Sequence, residues 1–415
     1  GPAGDGPVVS GPMSSLSAEL DRQAVAVIRG LAMDAPLAAN SGHQGTAMAL
    51  APLAHVLYSR VMTFDPADPA WPDRDRFILS AGHASILQYS MLFLTGHGLE
   101  IDDLQEFRQW ESATPGHPEA GHTAGVEVTT GPLGQGFANA VGMAVAERIL
   151  ADRFGSEAID HHTFVIAGDG CMMEGVSHEA ASLAGHLALD KLVAIYDDNH
   201  ITIDGSTDLA YSDDVPARFR SYGWNVVELG EIADDMDALE AALMSAKEHT
   251  GSPTLLVLRS HIGYPSPDHT DDHEAHGLAF DADDVARTKE VMGIPNETFW
   301  VPDELLGAYR NHAGDCGAAA HAQWNERNSA TAASADWVAA WNGTGVDGWD
   351  TDLPSYAAGD KIATRKAIQA VLQASEGSIP GLVAGAADLT GNTGTQLAAQ
   401  NTQSASDHGG RQVYY

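Results

Sequence analysis

Two short polar segments, each placed directly after an apolar run, are the parts of this chain best suited to chemistry. The apolar run at 163–167 leads into Gly168-Asp169-Gly170, and the apolar run at 192–196 leads to Asn199. The residues between Gly170 and Asn199 suffice for one helix with its turns. If both runs are parallel strands joined by that helix, Asp169 and Asn199 lie at the same carboxyl edge, where open α/β sheets bind ligands.

Oxygen donors at such an edge favour a hard divalent cation. One carboxylate, one amide oxygen and a backbone carbonyl suit Mg²⁺ or Ca²⁺, which completes its coordination shell with phosphate oxygens and water. Gly168 and Gly170 have no side chains, so a diphosphate can approach the backbone closely. The two segments together predict a site for a metal ion and a diphosphate.

The rest of the chain predicts the scaffold for this edge. Apolar residues have helical spacing at 20–39, 137–150, 177–189 and 236–247, and further strand-like runs occur at 224–228 and 254–258. Strands that alternate with helices favour an α/β fold with a doubly wound, mostly parallel sheet and helices on both faces. The helix at 137–150 follows a glycine-rich turn directly, so its N-terminus is suited to an anion.

Several motifs together resemble those of the transketolase family of thiamine diphosphate enzymes. Gly168-Asp169-Gly170 with the distant Asn199 resembles the thiamine diphosphate motif, and residues 168–175 resemble its transketolase version. The companion motifs follow in the family's order: Ser41-Gly-His-Gln-Gly45, Ser80-Ala-Gly-His-Ala84, Thr114-Pro-Gly-His-Pro-Glu119, Thr130-Gly-Pro-Leu-Gly-Gln-Gly136 and His276-Gly277. The agreement runs from about Met13 to Tyr415, and it identifies the chain as the N-terminal portion of a family member.

The resemblance implies the thiamine diphosphate-binding fold, with thiamine diphosphate and Mg²⁺ (or Ca²⁺) as cofactors. It makes Asp169, Asn199 and the carbonyl of Ile201 the metal ligands. It also implies that Gly168 and Gly170 contact the diphosphate through their backbone amides, beside Asn199. In the second cofactor loop, it implies that Gly131 and Leu133 hold the aminopyrimidine ring.

Four histidines that lie beside glycine are the predicted proton-transfer groups. Imidazole suits proton transfer to and from sugar hydroxyls near neutral pH. By resemblance, His83 and His276 face the diphosphate and the rest of the cofactor, while His43 and His117 face the sugar. We therefore expect His43, His117 and His276 to be catalytic and to contact the substrate. Taken singly, a histidine of this kind is more often a structural residue than a catalyst, and it is the four together, at positions that match the family, that favour catalysis.

The resemblance also implies phosphate-binding and interface residues. Arg365 and Asn392 are predicted to bind the donor phosphate, since a guanidinium offers phosphate paired donors. Asn392 stands where transketolases usually have a serine, which leaves the preference for phosphorylated donors open. Glu174 and Asp388 match family positions near the subunit interface. Gln44 replaces the family's usual proline, and we expect this to change only the stiffness of its loop.

The sequence predicts two domains joined by a connector. Residues 1–12 resemble a cloning scar or a flexible leader, and residues 13–310 form the diphosphate-binding domain. The Ala-, Asn- and Gly-rich segment 311–358 is the interdomain connector, and residues 359–415 begin a pyrimidine-binding domain. The last residues resemble those just before the family's Gly-Ile-Arg-Glu-His segment, whose glutamate activates the cofactor. We therefore expect this chain to be an N-terminal fragment, or one subunit of a split enzyme, without that glutamate.

Composition argues against several other classes. No apolar run approaches the roughly 20 residues of a membrane span, and two cysteines imply no disulfide framework and fit a reducing cytoplasm. A formal net charge of −36 argues against nucleic-acid binding, because phosphate contacts need an excess of Lys and Arg. The same charge repels anionic substrates, so local cationic groups must offset it. Solvation of the surface, including adaptation to salt, is the simplest explanation of the acidity.

The predicted function is the reversible transfer of a two-carbon ketol group from a ketose phosphate to an aldose phosphate. We expect a homodimer of complete units and, for a split enzyme, a second polypeptide that supplies the rest of the pyrimidine-binding domain and the C-terminal domain. Two alternatives stay open. One is a related thiamine diphosphate enzyme, such as a deoxyxylulose phosphate synthase or a sugar-branching enzyme, and the other is a non-catalytic cofactor-binding subunit.

Overall fold

The computed structural model describes residues 16–277 and 280–415, so the predicted leader at 1–12 and Met13 lie outside the described residues. The strands are β1 (Arg76–Leu79), β2 (Thr163–Gly168), β3 (Leu192–Asp197), β4 (Ile201–Thr202), β5 (Gly205–Ser206), β6 (Asn225–Gly230), β7 (Thr254–Leu258), β8 (Ala384–Ala386) and β9 (Gln412–Tyr414). The α-helices are α1 (Ala18–Ala39), α2 (Gly45–Ala49), α3 (Ala51–Val56), α4 (Ser85–Thr95), α5 (Ile101–Gln105), α6 (Gln135–Phe154), α7 (Asp169–Met173), α8 (Gly175–His186), α9 (Val215–Ser221), α10 (Met236–Glu248), α11 (Ala282–Met292), α12 (Asp303–Ala332), α13 (Ala335–Asn342), α14 (Thr364–Ser375) and α15 (Thr390–Thr393). A single turn of π-helix lies at Leu57–Val61, and single turns of 3-10 helix lie at Gly82–Ala84, Thr207–Leu209 and His273–His276.

Five parallel strands form the central sheet, in the spatial order β1-β2-β3-β7-β6. All residues of β1, β3 and β7 are buried, as expected for a parallel sheet covered on both faces. Alternate residues of β2 point to opposite layers: Phe164 and Ile166 pack with α1, α3 and α4, whereas Val165 and Ala167 pack with α6 and α8. The predicted doubly wound, mostly parallel α/β fold is confirmed.

The carboxyl edge of this sheet carries the polar segments. Gly168 at the end of β2 lies opposite Asp197 at the end of β3. Asp169 begins α7 directly after β2, and Asn199 follows β3 by two residues, so both lie at one edge as the spacing predicts. Strand β1 was not predicted from the sequence, and its end leads through a short helical turn to His83 at the same edge.

The segment predicted to be a connector is largely helical. The 30-residue helix α12 runs across the predicted boundary at residue 310, and α13 follows it. Trp324 of α12 and Trp337 of α13 are buried with Trp71, which belongs to the first predicted domain. Alanine is the strongest helix former, and the buried tryptophans bind these helices to the first domain. The division at 310 and 358 therefore stays a prediction.

The last 60 or so residues contain a second parallel sheet of two strands, β8 and β9, and the helix α14 contacts α15. The strand β8 has three residues, and α14 has twelve. Across the described ranges, no helix combines the length and the apolar character needed to cross a membrane.

Candidate active site

Asp169 is held at the sheet edge by hydrogen bonds to both of its carboxylate oxygens. It is 3% exposed, and the Tyr196 hydroxyl donates to its Oδ1 at 2.5 Å. The backbone N–H of His200 donates to its Oδ2 at 3.0 Å. Burial raises the pKa of Asp169 to about 6, although the bond from Tyr196 opposes that rise. A nearby cation would offset the cost of keeping this carboxylate charged.

Asn199 is oriented by its neighbours in the chain. Its amide Nδ2 donates to Oδ2 of Asp197 at 2.9 Å, and its Oδ1 accepts from the Ile201 N–H at 2.9 Å. Asp197 is fully buried and also accepts from the Ser260 hydroxyl; burial raises the pKa of Asp197 to about 7. The amide oxygen is thereby fixed beside the edge where Asp169 lies.

A cavity of about 350 Å³ opens over this edge and brings most of the predicted cofactor residues together. Its lining includes Gly168, Asp169, Gly170, Leu133, Asn199, Ile201, His83 and His276. A Cβ built on Gly168 would meet no atom within 4 Å, so the backbone there is open to a ligand. The described residues contain no cluster of three or more His, Cys, Asp or Glu that could hold a metal. A cation here would therefore need the amide and carbonyl oxygens, and that donor set fits Mg²⁺ or Ca²⁺.

Three of the four predicted histidines form a cluster beside the cavity. The ring centroids of His43 and His83 are 5.1 Å apart, those of His43 and His276 are 5.7 Å apart, and those of His83 and His276 are 4.7 Å apart. The buried Nδ1 atoms of His43 and His276 have no hydrogen-bond partner among the described residues. Such orphaned polar atoms are costly unless a ligand or water satisfies them, so the cluster is suited to a polar ligand.

These histidines are kept neutral. Burial lowers the pKa of His43 to about 4, with further lowering by His276, Arg108 and His117. Burial also lowers the pKa of His83 well below its ordinary value, and it lowers the pKa of His276. The pKa of His117 is lowered by burial and by Arg108. Neutral imidazoles can accept a proton from a hydroxyl or donate a hydrogen bond to phosphate, as the predicted roles require.

Close backbone contacts join the loops that carry these residues. A Cβ on Gly82 would lie 2.5 Å from Oγ1 of Thr130 and 2.8 Å from the nitrogen of Gly131, so only glycine fits between the two turns. Gly131 has a φ of +147°, and a Cβ there would lie 3.3 Å from the ring of His117. A Cβ on Gly170 would lie 2.8 Å from Cδ1 of Leu133, because the leucine side chain packs closely over this glycine. The cofactor loop, the His83 turn and the Asp169 turn thus form one unit.

Three predicted site residues in the last part of the chain lie apart from this cavity. Arg365 on α14 and Asp388 before α15 are exposed, and Asn392 lies on α15, which contacts α14. None of the three lines the cavity within the described residues. Glu174 does line it and is the N-cap residue of α8. Its predicted place at a subunit interface, like that of Asp388, is not tested by a single chain.

Three residues of the site were not predicted from the sequence. Tyr196 and Asp197 orient two of the three predicted metal ligands, Asp169 and Asn199, and Arg108 lies beside His43 and His117. The run Tyr196-Asp197-Asp198-Asn199 carries a signal for the first two, because polar residues at the end of a buried strand need partners there. Nothing in the local sequence marks Arg108, since its contacts depend on residues far away in the chain.

Known proteins resemble this chain over most of its length. The transketolase family's thiamine diphosphate binding domain matches residues 20–341. A transketolase from Nostoc is 46% identical over 395 residues, which are 93% of this chain and 59% of that protein. The chloroplastic transketolase of Zea mays is 46% identical over 392 residues, which are 91% of this chain and 58% of that protein. The chain thus spans about three fifths of the length of these relatives.

Solved structures show the same likeness. A transketolase from Pichia stipitis in complex with sedoheptulose-7-phosphate superposes with a TM-score of 0.91 and 42% identity, over 96% of this chain and 61% of that chain. The transketolase from Leishmania mexicana superposes with a TM-score of 0.91 and 40% identity, over 97% of this chain and 60% of that chain. Because the domain match covers most of the sequence and the fold agrees throughout, this chain belongs to the transketolase family.

Proposed function

We propose that this chain forms the diphosphate- and metal-binding half of a transketolase active site, which transfers a two-carbon ketol group from a ketose phosphate to an aldose phosphate. The proposal rests on one observation. The predicted metal ligands Asp169, Asn199 and Ile201 line the same cavity as His83 and His276. A relative of closely similar fold binds sedoheptulose-7-phosphate, a ketose phosphate, which supports this substrate class.

Asp169, Asn199 and the Ile201 carbonyl would hold Mg²⁺ or Ca²⁺, and the backbone amides of Gly168, which is open to a ligand, and of Gly170 would accept the diphosphate. Thiamine diphosphate, when bound, supplies the carbon nucleophile and the electron sink needed to break a carbon–carbon bond next to a carbonyl. Tyr196 and Asp197 keep the protein's oxygen donors in place. Leu133, packed over Gly170, gives the cavity an apolar wall beside the glycines.

The neutral histidines would move protons and bind hydroxyls. His43 and His276 have buried nitrogen atoms with no protein partner among the described residues, so a sugar hydroxyl or a phosphate oxygen can satisfy them. At pH 7 a neutral imidazole can accept a hydroxyl proton and return it later in the same turnover. The ring of His117 lies close to Gly131, and we propose that His117 binds the sugar together with His43.

We further propose that residues beyond the cavity complete the site. Arg365 and Asn392, on adjoining helices, would bind the donor phosphate. Asp388, together with Glu174 of the cavity lining, would lie near a dimer contact. The relatives extend well past the matched region. That additional portion, on this or a second polypeptide, would supply the activating glutamate and the C-terminal domain. Both cysteines are free thiols, which suits a cytoplasmic enzyme.

Calorimetric titration with thiamine diphosphate and Mg²⁺ tests the proposal. It should be run on the chain alone and on the chain together with a polypeptide that carries the remaining portion of a relative. We expect binding in at least one arm, and we expect Asp169→Asn to weaken it by roughly 100-fold, since even residues behind the ligands cost 10- to 100-fold. Asp283→Asn, an exposed helix position, is the matched control and should bind like the wild type.

Activity completes the test. In the arm that binds the cofactor, a ketose phosphate and an aldose phosphate should exchange a two-carbon unit, measured by chromatography of the sugar products. Absence of binding in both arms by correctly folded protein would refute the cofactor site. Binding without ketol transfer, when the remaining portion is present, would instead favour a non-catalytic cofactor-binding subunit.

A further inference from the structure

Arg108 is a half-buried cation that has no carboxylate partner among the described residues of a strongly acidic chain. The sequence holds 57 Asp and Glu against 21 Lys and Arg. Most described arginines pair with a carboxylate, namely Arg22, Arg29, Arg60, Arg74, Arg148, Arg153, Arg218, Arg220, Arg287, Arg310 and Arg327. Arg108 instead donates from Nη1 to the hydroxyl of Ser41 at 2.7 Å. No carboxylate among the described residues neutralises this charge, so it affects the other titratable groups nearby.

The Arg108 side chain touches both loops that carry the histidines predicted to face the sugar. Ser41 precedes His43 by two residues, and Gly116 directly precedes His117. A Cβ built on Gly116 would lie 2.5 Å from Nε of Arg108 and 3.0 Å from its Nη2. The guanidinium thus lies against Gly116 while its other end is bonded to Ser41. No residue larger than glycine could stand at 116 without moving it.

The backbone around Arg108 is strained. Arg108 has a φ of +63° and Glu111 has a φ of +59°, a region that residues with side chains seldom occupy. The Arg108 N–H donates to the carbonyl of Thr114 at 3.0 Å, which closes the loop on itself. Strained residues of this kind cluster at functional sites, where the surrounding structure holds them in place. The strain at Arg108 therefore points to a role for the side chain that it directs.

We infer that Arg108 is a positioning residue that clamps the Ser41–His43 loop to the Gly116–His117 turn. That the bound ligand is a sugar rests on the proposed function. The contacts of Arg108 with the two loops do not depend on that proposal. A guanidinium is suited to the task because it presents several donors in a rigid plane, whereas an ammonium offers a single point of attachment. A rigid spacing of His43 and His117 would hold two hydroxyls of one sugar in a fixed orientation.

The charge of Arg108 supports the same role. It lowers the pKa of both His43 and His117, in each case after the larger effect of burial. His276 and His117 add to the lowering at His43. A carboxylate paired with Arg108 would cancel this influence. Because no such partner occurs among the described residues, the effect of Arg108 adds in full to that of burial, and both favour the neutral imidazoles.

Two substitutions separate the parts of this role. Arg108→Asn removes the cation and keeps a residue that tolerates the left-handed backbone, so the loop can still form. Arg108→Lys keeps the charge but loses the planar pair of donors. Arg22→Asn, which removes an exposed arginine from α1, is the matched control for the change in net charge.

Histidine-selective NMR titration of the 415-residue chain measures the first consequence. Resonances of His43 and His117 are assigned with His→Gln variants. In Arg108→Asn we expect both pKa values to rise by roughly half a unit or more, as loss of a nearby charge requires. In Arg108→Lys they should stay close to wild type, and in Arg22→Asn they should not change. This measurement needs neither cofactor nor turnover.

Kinetics of the complete enzyme measure the second consequence. We expect kcat/KM for a ketose phosphate to fall by roughly 10- to 100-fold in Arg108→Asn, since small misplacements of reacting groups cost about that much. Arg108→Lys should recover part of the loss, and the Kd for thiamine diphosphate should stay within about twofold of wild type in both. Failure of the wild type to bind cofactor would refute the proposed function while leaving the NMR result interpretable. The clamp is refuted if Arg108→Asn behaves like Arg22→Asn in both experiments, or if it loses cofactor binding and cooperative unfolding together.

Discussion

Tyr196 and Asp169 are joined by a 2.5 Å hydrogen bond from the phenol hydroxyl to the carboxylate Oδ1, although they belong to neighbouring segments 27 residues apart in sequence. Tyr196 lies opposite Ala167 in the parallel pairing of β2 with β3, so its side chain reaches the first residue of α7. The His200 N–H donates to the other carboxylate oxygen. The carboxylate is thus held from two directions before any cation binds.

Tyr196→Phe is expected to weaken the affinity for Mg²⁺ by roughly tenfold, because groups that orient a metal ligand typically contribute 10- to 100-fold. Isothermal titration with Mg²⁺ at saturating thiamine diphosphate measures the effect. Tyr211→Phe is the matched control, since the Tyr211 hydroxyl donates to the carbonyl of Met172 and not to a predicted metal ligand. Equal metal affinities in the two variants would show that the Tyr196 bond does not prepare the site.

Gly82→Ala is expected to damage both stability and cofactor binding. Its Cβ would meet Oγ1 of Thr130 at 2.5 Å and the nitrogen of Gly131 at 2.8 Å, and a backbone atom cannot move aside cheaply. Overpacking of this kind costs roughly 1–3 kcal/mol in the free energy of unfolding. Urea denaturation measures that loss, and titration with thiamine diphosphate measures the cofactor affinity.

Gly142→Ala is the control for this substitution, because a Cβ at Gly142 in α6 meets no atom within 4 Å. Alanine there should raise stability by up to about 1 kcal/mol through better helix propensity. If Gly82→Ala were as stable as Gly142→Ala and bound the cofactor with the same affinity, the close contact between the two turns would not matter for stability or for cofactor binding.

The sheet edge could be predicted because its signal is local. One apolar run is followed by Gly168-Asp169-Gly170, and a second is followed by Asn199. In each case a few residues are enough to indicate a buried strand and the polar turn after it. Parallel pairing then brings the two ends together without further information. Most predicted helix and strand bounds also lie within a few residues of the observed ones, as for α10 and β7.

The features that were not predicted depend on distant contacts. Strand β1 has only four residues and no flanking alternation, and it becomes a strand by pairing with β2. The helix α12 contains Asn and Gly, which suggest a connector, but burial of Trp324 against Trp71 decides the outcome. Arg108 meets a serine 67 positions away. No pattern within a short window can report such partners.

The contribution of His43 to stability should fall as the pH decreases below the ordinary pKa of histidine. Burial lowers the pKa of His43 from 6.5 to about 4 in the folded chain, so the unfolded state binds more protons in that interval. The contribution of His43 to the free energy of unfolding therefore decreases as the pH falls from 6.5 to about 4, and His43 adds no further loss at lower pH. The contribution of His43 is roughly 1–3 kcal/mol.

Urea denaturation across this pH range, on the wild type and on His43→Asn, isolates the histidine. Carboxylates titrate in the same interval, so the difference between the two proteins carries the test. We expect His43→Asn to lose less stability on acidification than the wild type, whereas His122→Asn, at an exposed position, should lose as much as the wild type. Parallel curves for all three proteins would mean that His43 is not held neutral by the fold.

Salt should stabilise this protein strongly. The formal net charge is −36, and most described arginines are already paired, so many exposed carboxylates repel one another without compensation. The screening length falls from about 10 Å at 0.1 M salt to about 3 Å at 1 M, which removes most repulsion between exposed charges. We expect Tm to rise by roughly 5 °C or more between 0.1 and 2 M KCl, measured by circular dichroism.

A variant with Asp347→Asn, Asp350→Asn and Asp352→Asn tests whether repulsion is the cause. These three residues are exposed, and none forms an ion pair among the described residues. Removing their charges should raise Tm at 0.1 M KCl and reduce the further gain at 2 M, because less repulsion remains to be screened. A Tm that is independent of KCl, or a salt response equal in the variant and the wild type, would mean that the acidity serves solvation alone.

Since screening also weakens the repulsion of anionic sugars, the KM for a ketose phosphate should fall over the same range of salt if the proposed function holds.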